Sequence, residues 1–145
     1  MQTWSSTDLA LTVRPLTQLS IANRYFFTRL ADRQTGATIF NDHIIRSRWN
    51  WQFTRELAIR FILQYDSVLV NPEFTSLEKR KNINTDVLFS YQLNAWTALY
   101  VGYNGNAQNI DLVPTSTGSR IVRTEHGFIN DGRQFFAKFS YLVRF

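Results

Sequence analysis

The stretch FFAKFSYLVRF, residues 135–145, decides how this chain is read. Counting back in twos from its end gives Phe145, Val143, Tyr141, Phe139, Ala137 and Phe135, all apolar or aromatic. The intervening set is Arg144, Leu142, Ser140, Lys138 and Phe136, and it holds both charges and the hydroxyl. Period two is the spacing of a strand whose two faces meet different surroundings. What surrounds the apolar face is the question the rest of the sequence has to answer.

Six more segments alternate in the same way. Residues 9–14 group Leu9, Leu11 and Val13, and residues 19–30 group Leu19, Ile21, Tyr25 and Phe27, with Asn23 as an exception. Residues 44–53 set Ile45, Trp49, Trp51 and Phe53 against Arg46, Arg48, Asn50 and Gln52. Residues 57–65 group Leu57, Ile59, Phe61, Leu63 and Tyr65; residues 86–93 group Val87, Phe89, Tyr91 and Leu93; residues 97–103 group Leu99, Val101 and Tyr103. The expectation is an all-β, antiparallel chain of about seven strands, with residues 1–145 forming one domain.

The links between these segments alternate in length. Short ones fall at residues 14–18, 54–56 and 94–96, and long polar ones at 31–38, 66–82 and 104–132. A soluble sandwich has no reason to sort its turns between two ends. A transmembrane barrel does, because its turns are short on one side of the membrane and its loops long on the other. The aromatics of the apolar face agree. Tyr25, Phe27, Tyr65 and Tyr103 stand toward the long-link end of their segments, and Trp49 and Trp51 toward the short-link end. Two such girdles around an apolar band are what an up-and-down transmembrane β-barrel requires.

Composition excludes several classes. There are no cysteines, hence no disulfide framework and no thiolate metal site. The two histidines, His43 and His126, are too few for most zinc sites. A net charge of +5 suits nucleic acid or anionic lipid, yet Arg and Lys are scattered, and EKRK at residues 78–81 is the one dense run. No nucleic-acid partner and no cofactor are expected. No window approaches the roughly 20 apolar residues of a membrane helix, and residues 1–13 do not read as a secretory signal.

The pattern Phe139, Tyr141, Val143 and terminal Phe145 resembles the C-terminal signature of bacterial outer-membrane proteins. The resemblance implies recognition by the barrel-assembly machinery and an outer-membrane location in a Gram-negative cell. The stretches SRWNWQFTRELAIRFILQYDS (47–67), ALYVGYN (98–104) and GFINDGRQFFAKFSYLVRF (127–145) are similar to the C-terminal β-barrel of certain large outer-membrane proteins. In that family the barrel is a domain of unknown function, preceded by a carbohydrate-binding-like module. The likeness covers most of residues 9–145 and brings no catalytic residues. The sequence given carries neither a signal peptide nor that module. The expectation is therefore the C-terminal part of a larger barrel, partnered by outer-membrane lipid and by the N-terminal remainder of a longer chain. Its first and last segments should be the open edges of the sheet.

The inward set is cationic: Arg14, Arg24, Arg46, Arg48, Arg60, Lys138 and Arg144, with Glu56, Asp66 and Asp86 as the candidate acids. It reads as the wall of a polar lumen, either a cation-lined pore favouring anionic solutes or ordinary lumen polarity. For catalysis, Asp42 beside His43 would point to opposite faces of a strand. Glu125 and His126, with Ser116 and Ser119, fall in the longest link without a recognisable elbow or metal spacing. Residues 102–106, GYNGN, read as a turn, as do residues 71–74, NPEF. The function expected is spanning and anchoring rather than enzymatic. The alternatives are a small barrel that binds or adheres through its long loops, a barrel-embedded hydrolase and a soluble ligand-binding barrel. Deleting Phe145, or replacing Tyr141 with a charged residue, should lower the amount of protein recovered in the outer membrane. Unchanged yield on fractionation would count against the assembly-signal reading.

Overall fold

The computed structural model describes residues 2–94, 96–116, 118–124 and 127–142. It is all-β, and no helix occurs among the described residues. The strands are β1 (Gln2–Leu16), β2 (Leu19–Asp32), β3 (Thr38–Gln52), β4 (Leu57–Val70), β5 (Arg80–Asn94), β6 (Thr97–Gln108), β7 (Ile110–Thr115), β8 (Gly118–Arg123) and β9 (Ile129–Tyr141). Seven of them form one antiparallel meander in the order β1-β2-β3-β4-β5-β6-β9, and β7 pairs with β8 in a separate hairpin. No ladder joins β1 to β9 among the described residues, so the sheet is open rather than a closed barrel.

The seven-strand meander follows the alternation, but the strands run further than the alternation does. Residues 66–70, 80–82 and 104–108 are strand where the sequence pattern suggested long links, and so are residues 39–43 and 83–85, which lie between those links and the alternating segments. The reason is chemical. In stretches such as NINTD and NGNAQ a single apolar residue, Ile83 or Ala107, stands among polar ones on both faces, so period two fades from the hydropathy while the backbone goes on pairing. GYNGN is accordingly strand interior, with Gly102 opposite Phe136 and Gly105 opposite Arg133, and not a turn. The links shrink to residues 33–37, 71–79 and 109–128, and the last of these carries the β7–β8 hairpin that the sequence did not disclose. Gly36, at φ 68°, lets the first of them close back on Asp32. Asn71 opens the second, where its side chain accepts a hydrogen bond from the Glu73 amide, as a turn residue should. Pro15 lies where the β1–β2 register shifts, a place on an edge strand where a missing N–H is tolerated. Val143, Arg144, Phe145, Glu125, His126 and Thr117 lie outside the described residues.

There is almost no core. Among the described residues, Ile39 and Ala98 are the buried hydrophobic ones. The accessible surface is 10696 Å² for 17.0 kDa, whereas a compact monomer of that mass exposes about 7,700 Å². Among the described residues the main sheet is a single layer with no element packed over either face. Its strands have 12 to 15 residues, against about 5–6 in ordinary globular sheets.

The most buried side chain is polar. Asn109, 1% exposed, sits where β6 leaves the sheet toward β7. Its Oδ1 accepts from the Lys81 amide at 2.7 Å, and its Nδ2 donates to the Thr124 carbonyl at 2.9 Å and the Lys79 carbonyl at 3.3 Å. Its backbone pairs with both Lys81 and Thr124. Arg123 adds an ion pair to Glu78 at 3.1 Å. One asparagine thus ties the base of the β7–β8 hairpin to the start of β5. Asn109→Ala should strand these buried groups at a cost of about 1–3 kcal/mol. Amide exchange is the readout: Lys81 and Thr124 should lose protection before the middle of β4 and β5 does.

Candidate functional site

The candidate site is the sheet itself, with one largely apolar face and an opposite face on which charged and polar residues stand among Phe26, Ile44, Ile62, Leu88 and Phe136. The register makes the apolar face explicit. Val13, Ile21, Trp49, Phe61, Val87, Tyr103 and Phe135 are successive Cα partners across all seven strands. The next row toward the short links runs Leu19, Trp51, Ile59, Phe89, Val101, Ala137. Beyond it come Leu57, Tyr91, Leu99 and Phe139. On the other side Leu9, Tyr25, Ile45, Tyr65, Ile83 and Ala107 form another row. Rings interlock along these rows: Trp49 edge-on to Phe61 at 6.4 Å, Tyr103 on Phe135 at 4.8 Å, and Trp51 stacked on Phe53 at 4.4 Å.

This apolar band crosses the ladder obliquely. On β1 it spans Leu9 to Val13; on β9 it spans Phe135 to Tyr141; and Val13 is level with Phe135. The drift is roughly five residues over six strand-to-strand steps, which corresponds to strands inclined by about 30° to the normal of the band. The obliquity also sorts the aromatics. Tyr25 and Tyr65 share a row, with Phe27 beyond it, but Tyr103 is level with Trp49, and only the slant of the band carries Tyr103 toward the long-link rim. Trp51 lies toward the short-link side, and Trp49 falls near the middle rather than in a girdle.

Asn23, Ser47 and His43, polar residues on the apolar face, each have a hydrogen-bond partner on that face. Trp49 Nε1 donates to Ser47 Oγ at 2.8 Å, and Ser47 Oγ donates to Asn23 Oδ1 at 2.6 Å. Tyr25 Oη and His43 Nδ1 are 2.8 Å apart, with the Phe27 ring 4.8 Å from the imidazole. Asn23, the exception in the alternation, is thereby placed: it terminates a three-residue relay.

The opposite face carries Arg24, Arg46, Arg48, Arg60 and Lys138, all on the same side of the ladder. Arg24 and Arg46 are Cα partners, an unfavourable juxtaposition of like charge. Asp8 of β1 relieves it by taking Arg24 in a two-pronged ion pair, with Nε to Oδ1 at 2.8 Å. Arg46, Arg48 and Arg60 carry no ion pair among the described residues. Three further acids of this face are held by amides: Asp86 by Asn104, Asp66 by Gln64 at 3.1 Å, and Asp131 by Asn106 and Gln108. Glu56, expected among them, is instead in the β3–β4 link, where Thr54 donates to it at 2.9 Å. Asp8 is the partner that the sequence reading missed; only the β1–β2 register brings it beside Arg24.

Depressions in the sheet surface open mainly on this polar face. One, about 390 Å³, is lined by Arg14, Ser20, Asn50, Gln52, Arg60 and Ser90 among others. Smaller ones gather around Arg24, Arg46 and Arg48, and around Asp86, Asn104 and Phe136. Phe136, an aromatic on this side, covers Gly102: a Cβ there would lie 2.0 Å from the ring. The phenyl group fills what the glycine leaves empty, the aromatic rescue known from β-sheets. As for catalysis, His43 faces the apolar side with Tyr25, and its neighbour Asp42 the polar side. No metal-binding group of three or more His, Cys, Asp or Glu occurs among the described residues. No family model, curated protein or solved structure matches the chain.

Gly102→Val should destabilise the sheet by about 1–3 kcal/mol through overpacking against Phe136. The penalty should shrink in a Phe136→Ala background. Equal costs in both backgrounds, measured by denaturant unfolding in detergent, would show that the ring is not the obstacle.

Proposed function

We propose that this chain is a membrane-spanning wall: a stretch of outer-membrane β-barrel that anchors its protein and lines a polar, cation-rich lumen. The observation that carries the reading is the unbroken apolar row from Val13 to Phe135 on a sheet without a second layer. A sheet normally buries its apolar face against another element of the same domain. Here none exists among the described residues, and the face is too large and continuous for the scattered apolar exposure of a soluble surface. Lipid is the surrounding that suits it.

Three further features support lipid over a soluble partner. Strands of 12 to 15 residues exceed the roughly 9–11 that a tilted strand needs to cross a bilayer. The inferred slant of about 30° is near the strand tilt of membrane barrels. The short links gather at one rim and the long, hydrogen-bonded ones at the other. The resemblance of residues 139–145 to an assembly signal, and of the longer stretches to the barrel of large outer-membrane proteins, points the same way. Anchoring is then the primary role. The unpaired Arg46, Arg48 and Arg60 would favour anions in the lumen that the polar face lines.

The absence of cysteine makes the decisive experiment simple. Arg60 and Phe61 are neighbours on opposite faces, as are Arg48 and Trp49. With single cysteines at each position, a membrane-impermeant maleimide should label Arg60→Cys and Arg48→Cys in isolated outer membranes. Phe61→Cys and Trp49→Cys should stay unlabelled until detergent is added. The reverse pattern, or recovery of the protein in the soluble fraction, would overturn the reading.

A further inference from the structure

β1 starts at the long-link rim and ends at the short-link rim, and so does β9, because six antiparallel steps separate them. The two free edges are therefore parallel to each other. Direct closure of β1 on β9 would require a parallel ladder in an otherwise antiparallel sheet. A ring of two copies, each β9 meeting the other's β1 in the same orientation, would require two of them. Parallel pairing is the less stable kind per residue.

Neither edge is built to stay free. Native edges are kept short or blunted with lysine, bulges or inward charges. β1 is 15 residues long and has no lysine, with its proline and a register shift at the far end; β9 is 13 residues long, and its one lysine, Lys138, and its irregularity at Asp131 leave residues 132–141 in regular register. The side chains most exposed on the apolar face lie on these edges: Phe135 at 77% and Phe139 at 67%, Leu11 at 63% and Leu9 at 60%, against 41% for Val101 and 45% for Trp49 inside the sheet. Every described residue of β1 from Thr3 on is exposed.

From these observations we infer that the gap between β9 and β1 is a strand-acceptor site, occupied by an odd number of further β-strands from outside residues 1–145. The strands next to the two edges run from the short-link rim to the long-link rim, antiparallel to β1 and to β9. Each presents alternate apolar residues on the side of Leu11 and Phe139, and polar residues on the side of Thr12 and Lys138. One strand satisfies both edges at once; three or more do so in a wider ring. The β7–β8 hairpin cannot serve, since its strands have six residues each. The inference rests on the barrel reading above, in which lipid leaves no other means of satisfying the edge N–H and C=O groups.

The test uses a photo-crosslinking phenylalanine analogue placed singly at Ser5 and Val13 of β1 and at Phe135 and Phe139 of β9. Each variant is assembled in the outer membrane, irradiated and mapped by mass spectrometry. The expected result is crosslinks from β1 and β9 to alternating segments absent from residues 1–145. The order must be reversed along β1: Ser5 reaches a position later in the captured segment than Val13 does. Crosslinks between β1 and β9 of one copy would overturn the inference in favour of self-closure, and those between two copies in favour of a dimeric ring. Captured segments in the same order as β1, or no crosslink at any of the four positions, would overturn it as well. Because the maleimide experiment reads the faces and this one reads the edges, failure of the membrane reading and failure of the acceptor site are told apart.

Discussion

Everything in this structure follows from a sheet that has no second layer among the described residues. Two buried hydrophobic residues, Ile39 and Ala98, cannot supply the apolar burial that drives folding. Cross-strand pairing gives the sheet its shape, but hydrogen bonds exchanged with water contribute little net stability. The apolar face must be covered by something outside the described residues, and the proposed lipid does this without any complementary partner surface. In that environment the ladder changes its worth. Backbone bonds that are nearly neutral in water become obligatory where no water can replace them.

The same constraint explains how the exceptions on the apolar face are arranged. Asn23, Ser47 and His43 would each be costly in an apolar surrounding if left alone. Asn23 and Ser47 are Cα partners and bond to each other, with the Trp49 indole closing the relay; His43 meets Tyr25 across the diagonal of the β2–β3 pair. Each is satisfied within the face it occupies. A soluble surface has no need of such pairing, since water serves the same groups. The relay is thus consistent with the proposed covering and adds a polar tie between β2 and β3 inside an otherwise greasy band.

What the sequence disclosed was governed by contrast between the faces. Wherever one face was apolar and the other charged, as in RSRWNWQF or LAIRFILQY, the strand and its facing were legible. Where the apolar face thinned to a single residue, Ile83 in residues 80–85 and Ala107 in 104–108, the strand continued unseen, because backbone pairing leaves no mark on hydropathy. The β7–β8 hairpin was hidden for a related reason: Leu112, Val113 and Ile121 stay exposed, so no buried face imprinted a period. The arginines of the polar face were legible one by one. The pairing of Arg24 with Asp8 was not, since it depends on a register between strands 16 residues apart in sequence.

Register itself is secured twice. A slip of one residue between β3 and β4 would carry Arg60 to the side of Trp49 and Phe61 to the side of Arg48, inverting both faces together. Facing therefore forbids every odd slip. An even slip keeps the faces and escapes that penalty, so something else must exclude it. The polar face does so through pairs that span neighbouring strands: Asp8 with Arg24 for β1–β2, Asp86 with Asn104 for β5–β6, Asp131 with Asn106 and Gln108 for β6–β9. On the apolar face Ser47 with Asn23 does the same for β2–β3. A shift by two residues would break each of these and leave a carboxylate or an amide without its partner. For β4–β5 the tie is Ser90, whose Oγ donates to the Ala58 carbonyl at 3.2 Å, and for β3–β4 the short link, in which the Glu56 and Leu57 amides donate to Thr54 Oγ1, fixes the offset. Polarity of the faces chooses which side of each strand meets the apolar surroundings, and the few specific polar pairs choose where along its neighbour each strand stops.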